Sequence, residues 1–156
     1  MTPSYREAAL ERRRGALRIW SMSLATPILY LAIAWVINWI GWVETGPQVE
    51  RSLDTPAVWA ALFVLGGAAL GVGAIWRAWR PARLAGLQED PDPALDRWMF
   101  SFYVSAGAAD LTAFLGLVGF ILTSRHEALL IGGVAGYLGY ALAYPARGEV
   151  DRGPGT

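Results

Sequence analysis

The chain contains no cysteine. Disulfides, thiolate metal sites and thiol catalysis are thereby excluded. It contains no lysine either; all 13 basic residues are arginine. Histidine occurs once, at His126, beside Arg125 and Glu127 in a short link between apolar runs. Charged residues make up 17% of the chain, below the roughly 25% usual for soluble domains. No phosphate loop, nucleotide fingerprint or metal-ligand spacing occurs. Arginine without lysine, together with many Ala, Gly and Trp, is a composition expected of a GC-rich bacterial genome.

What is abundant is apolar. Hydrophobic residues are 54% of the 156, and the mean hydropathy is +0.35. The charges cluster between long apolar runs. These features place the chain in the membrane class. Four runs are long enough for a hydrocarbon core that needs about 20 helical residues. They cover about 19–43, 57–79, 98–123 and 128–144. None alternates polar and apolar with the period of a strand. The expected fold is an all-α membrane protein, a single domain of four transmembrane helices in a compact bundle. The tail 145–156, rich in Gly and Pro, is expected to be disordered.

Arginine sets the expected orientation. Eleven of the arginines fall in the N-terminal tail, around the link between the second and third runs, and in the C-terminal tail. The opposite side has two, Arg51 and Arg125. The positive-inside rule places both termini in the cytoplasm of a bacterial inner membrane. The N-terminal run is too long for a signal peptide and reads as an uncleaved first span. Beside a span, ERRRGALR sets topology and meets anionic headgroups, so no nucleic-acid partner is expected. Trp20, Trp42, Trp59, Trp76, Trp79 and Trp98 lie near span ends, as an aromatic belt would. Asp96, before Arg97 and Trp98, is placed to cap the third helix.

Two spans are rich in glycine. The second contains GGAALGVG, with a GxxxG pair at Gly67 and Gly71. The fourth contains GGVAGYLG, with a pair at Gly132 and Gly136. Small faces of this kind let helices approach closely in lipid. They serve packing within the chain, self-association or contact with other membrane subunits.

The third span carries Asp110, the one acid in any of these apolar runs. An Asp at the centre of a membrane helix costs roughly 3 kcal/mol on insertion scales. Such a residue is by default a functional-site hypothesis. Ala106, Gly107, Ala113 and Phe114 share its helix face. Apolar surroundings disfavour the charged form of a carboxylate. Asp110 is therefore a candidate proton- or cation-binding group, or a neutral hydrogen-bonding group between helices. Asn38 is a possible polar partner, with Thr26 and Ser105 as further candidates. No second carboxylate, nucleophile–base pair or metal set accompanies it, so no enzymatic activity and no cofactor are expected.

The second and third spans, with GGAALGVG, the link WRAWRPAR and then MFSFYVSAGAADLTAFLGLVGFIL, resemble the ring-forming proteolipid, subunit c, of rotary ATP synthases. That resemblance implies that Asp110 carries protons and that Gly67 and Gly71 lie on an inner packing face. The whole four-span pattern is similar to small bacterial inner-membrane proteins of unassigned role. The function expected on that basis is a non-enzymatic accessory or assembly component. The alternative is a proton- or cation-handling protein in which Asp110 titrates.

Overall fold

A computed structural model describes residues 3–41, 55–84 and 91–145. Among them are five helices and no strand: α1 (Pro3–Ser23), α2 (Thr26–Trp39), α3 (Pro56–Leu84), α4 (Pro91–Thr123) and α5 (His126–Ala143). Three stretches are long and apolar enough to cross a membrane: Glu7–Trp39, Pro56–Trp79 and Leu95–Thr123. The expected fourth span corresponds to α5, which is not one of the three. Its 18 residues rise about 27 Å, just short of a ~30 Å hydrocarbon core.

Helix α4 is the hub, and each of the other helices packs on it. Its closest partner is α5, joined to it by Ser124 and Arg125 alone. Ser124 adopts the left-handed conformation, with φ 57°, and its N–H bonds the Phe120 carbonyl at 2.7 Å. The Thr123 hydroxyl donates back to the Gly119 carbonyl at 2.7 Å. These bonds satisfy the orphan carbonyls of the last turn and fold the chain back on itself.

The returning helix meets α4 through glycine. A Cβ on Gly132 would lie 2.8 Å from the Gly116 nitrogen, and one on Gly136 would lie 2.7 Å from the Ala113 Cβ. A Cβ on Gly139 would lie 2.7 Å from the Ala109 Cβ. The expected GxxxG pair at Gly132 and Gly136 is thus an intrachain seam, continued by Gly139. The pair at Gly67 and Gly71 is not a seam: a Cβ at either meets nothing within 4 Å. Helix α3 uses Gly66 and Gly73 instead, against Thr112 and against Ser105 and Ala108. Adjacent residues on a helix point about 100° apart, so Gly66 and Gly67 serve different faces.

The first span is interrupted. Its expected course from Ile19 breaks at Leu24 and Ala25, and Pro27 sits in the first turn of α2. Proline lacks the N–H that a continuous helix would need there. The break leaves the direction unchanged. Arg12 pairs with Asp96 in α4, 84 positions on, and the Tyr30 and Phe114 rings, also 84 apart (114 minus 30), meet at 5.9 Å. Helices α1 and α2 therefore form one broken track parallel to α4.

The arginine-rich N-terminus is helical and partly packed. Ala9 and Ala16 are buried against Leu95, Trp98 and Phe102. Trp98 is fully buried, so it belongs to this core and not to an aromatic belt. Asp96 is no cap. Pro91 and Pro93 fit a helix's first turn, so α4 starts earlier and Asp96 lies within it, bonded to Arg12. His126 begins α5 and its ring packs on Phe120. Arg77 donates to the Ala141 carbonyl at 3.2 Å and also to that of Leu142. Trp20 donates to the Tyr140 carbonyl at 2.8 Å. A cation and an indole thus close the C-terminal end of α5, where the dipole favours positive charge. Trp42, most of the loop after it and the tail 146–156 lie outside the described residues.

Two stability predictions follow from this packing. Gly132→Val should cost about 1–3 kcal/mol through overpacking, whereas Gly67→Val should stay within roughly 0.5 kcal/mol. Reversible unfolding in mixed micelles, followed by circular dichroism, measures both, and equal effects would contradict the seam. Ser124→Gly should stabilise the hairpin by about 1 kcal/mol, since glycine adopts the left-handed conformation without penalty. A lower unfolding midpoint for that variant would contradict this reading of the turn.

Candidate functional site

Asp110 divides the Leu95–Thr123 stretch near its midpoint. About 13 residues separate it from the C-terminal end of α4, or roughly 20 Å of rise. It is half-buried. The glycine seam fixes which α5 residue stands opposite. Gly139 abuts Ala109 and Gly136 abuts Ala113, so Tyr140 meets Asp110. Its hydroxyl donates to Asp110 Oδ1 at 2.9 Å. The rest of the Tyr140 side chain is fully buried.

The broken track supplies the other side of the site. The Tyr30 hydroxyl faces the same carboxyl group, and the Thr26 side chain reaches the Tyr140 hydroxyl. The constant offset between α1–α2 and α4 predicts this placement, because position 26 plus 84 is 110. The interruption of the first span therefore lies at the level of Asp110. At the break, the Leu24 carbonyl accepts from the Tyr137 hydroxyl at 3.4 Å. Ala25, at the N-cap of α2, provides no side-chain cap. An uncapped helix start carries partial positive charge and favours an anion close by. The site thus gathers a carboxyl group, two phenols and a hydroxyl around a helix break, beside the midpoint of the Leu95–Thr123 stretch and near the C-terminal end of α5.

The expected partners fare differently. Thr26 is in the cluster. Asn38 is exposed and lies eight residues beyond Tyr30 on α2, about 12 Å further along the axis; the structure does not bring it to Asp110. Ser105 is engaged elsewhere, donating to the carbonyls of Ser101 at 2.9 Å and Gly73 at 3.2 Å. Thr112 does the same one helical segment on, bonding Ala108 at 2.9 Å and approaching Gly66 at 3.5 Å. Both hydroxyls stitch α4 to α3. Tyr140 and Tyr30 were not anticipated from sequence. The signal for Tyr140 was present, since it continues the Gly132 and Gly136 face at the next helical interval.

Among the described residues, no group of three or more His, Asp or Glu could hold a metal ion. Gly67 and Gly71 lie outside this cluster, Gly67 exposed on α3. A Cβ at either would meet nothing within 4 Å, and Gly67 lines an apolar groove of about 300 Å³ with Gly66, Gly116 and Gly132. No family model matches the sequence, and the comparisons with curated proteins and with solved structures return no match.

The Asp110–Tyr140 contact should be measurable as a coupling. In a double-mutant cycle of Asp110→Ala and Tyr140→Phe, the interaction energy should be about 0.6–1.7 kcal/mol, the range of intramembrane hydrogen bonds. Asp110→Asn should preserve folding, since the amide oxygen still accepts from Tyr140. Additive effects in the cycle, or failure of Asp110→Asn to accumulate, would contradict the geometry.

Proposed function

We propose that this chain is a four-span protein of a bacterial inner membrane, with both termini in the cytoplasm and no enzymatic activity, whose functional group is the Asp110 carboxyl. In this reading Asp110 takes up and releases a proton, or holds a small cation, at bilayer depth. One observation carries it: the lone acid of the apolar runs lies opposite a helix break, with hydroxyl partners and, among the described residues, no cationic side chain bonded to it. Ionisable residues within membrane spans face a bundle interior or a wet cavity and mark ion or proton paths. Interrupted helices near the membrane midplane recur where transporters bind ions. The resemblance of α3 and α4 to the rotary proteolipid supports the same role for Asp110. Helix α5 completes the fourth crossing, with its C-terminal end, closed by Arg77 and Trp20, on the cytoplasmic side and Tyr140 one turn in from that end.

A second reading has its own support. A Cβ at Gly67 or Gly71 would meet nothing of this chain within 4 Å, which suits an accessory or assembly component that packs against another membrane subunit or a second copy. Co-purification after mild extraction tests it: Gly67→Leu with Gly71→Leu should release the partner, and unchanged recovery would sink it.

The carboxyl reading is tested by a hydrophobic carbodiimide acting on the protein in nanodiscs. Only a protonated, reachable carboxyl reacts. Modification at Asp110, located by peptide mass spectrometry, should fall as pH rises and should vanish in Asp110→Asn. Absence of reaction at every pH would refute the proposal.

A further inference from the structure

Helix α1 carries a second pattern that the Asp110 site does not use. Glu7, Glu11, Arg14 and Arg18 are spaced by 4, 3 and 4 positions. At 100° per residue these four fall within about 60° of one another on one helix face. All four line one groove of about 750 Å³ between α1 and α4. All four are exposed. None makes an ion pair or a side-chain hydrogen bond among the described residues; Arg12, on the flank, is bonded to Asp96. The neighbouring Glu11 and Arg14 thus leave unused the pairing that their spacing permits.

The order of charge along the axis is informative. Moving toward the apolar part of the track, the groove presents two carboxylates, then two guanidinium groups with Met99 at their level, then Ile19 and Tyr103. Glu11 and Arg14 are about 4.5 Å apart along the axis. A phospholipid with an ethanolamine headgroup has the complementary order, with ammonium outermost, phosphate beneath it and acyl chains below. Arginine suits phosphate through paired N–H donors. A primary ammonium has three N–H donors to give to carboxylates. A choline headgroup has none, and a glycerol headgroup carries no cation.

We infer that this groove is a binding site for a zwitterionic aminophospholipid of the surrounding bilayer, with Arg14 and Arg18 on the phosphate and Glu7 and Glu11 on the ammonium. The inference rests on the membrane reading above, with α1 entering the lipid from its N-terminal side. It assigns the acidic residues a selective role. A merely basic juxtamembrane helix would prefer anionic lipid.

The test uses the full-length protein in mild detergent, supplemented with equal amounts of dioleoyl phosphatidylethanolamine, phosphatidylcholine and phosphatidylglycerol. Native mass spectrometry reads the lipid adducts. The ethanolamine lipid should be retained about tenfold over either of the others. Glu7→Gln with Glu11→Gln should reduce it to the level of the choline lipid, and Arg14→Gln with Arg18→Gln should reduce all three. Retention of the choline or glycerol lipid as strongly as the ethanolamine lipid by the unaltered protein overturns the inference, as does an unchanged preference in the glutamine variants. The wild-type comparison needs no variant to fold. Extraction of the protein without detergent would instead defeat the membrane reading beneath it.

Discussion

The contact between Gly116 and Gly132 governs the remainder of the structure. Two helices joined by two residues must return side by side, and here they approach closely enough that no side chain fits between them. In lipid, helix association depends on packing more than on expulsion of water, so close approach supplies much of the stability. It also fixes register. Gly132 on Gly116, Gly136 on Ala113 and Gly139 on Ala109 leave Tyr140 facing Asp110. Wider spacing or a one-residue slip would deprive the acid of the Tyr140 hydroxyl.

The second constraint is the proline at position 27. A continuous helix through the first span would satisfy its own backbone and present only side chains to α4. The break instead places a helix start, Thr26 and Tyr30 at the height of the acid. An isolated carboxylate in hydrocarbon is costly, and this arrangement offsets part of that cost with hydroxyl groups and a helix dipole instead of a counter-ion.

Much of this was legible in the sequence, and the misses have specific causes. Asp110 stood out because polarity in a long apolar run is unmistakable. The Gly132 and Gly136 seam was readable because small residues at helical spacing mark a face open to close helix approach in lipid. The pair at Gly67 and Gly71 matched the same pattern, yet the packed face runs through Gly66 and Gly73, one residue away; spacing identifies a face but not what covers it. Asp96 looked like a cap because the prolines before it read as a link, whereas prolines are tolerated in a first helical turn. The break at Pro27 was concealed by the apolar residues on both sides. Tyr140 and Tyr30 could not be paired with Asp110 without the interhelical register. Trp98 resembled a belt residue until the N-terminal helix was seen to cover it.

The central claim is that Asp110, held by Tyr140, exchanges a proton within the bilayer. Infrared difference spectroscopy on the protein in nanodiscs, with isotope-labelled aspartate, observes that proton directly. The account predicts a protonated-carboxyl stretching band that disappears as pH is raised, that is missing in Asp110→Asn and that moves in frequency in Tyr140→Phe. A spectrum with no pH-dependent band assignable to Asp110, or a band indifferent to the loss of the Tyr140 hydroxyl, would contradict it.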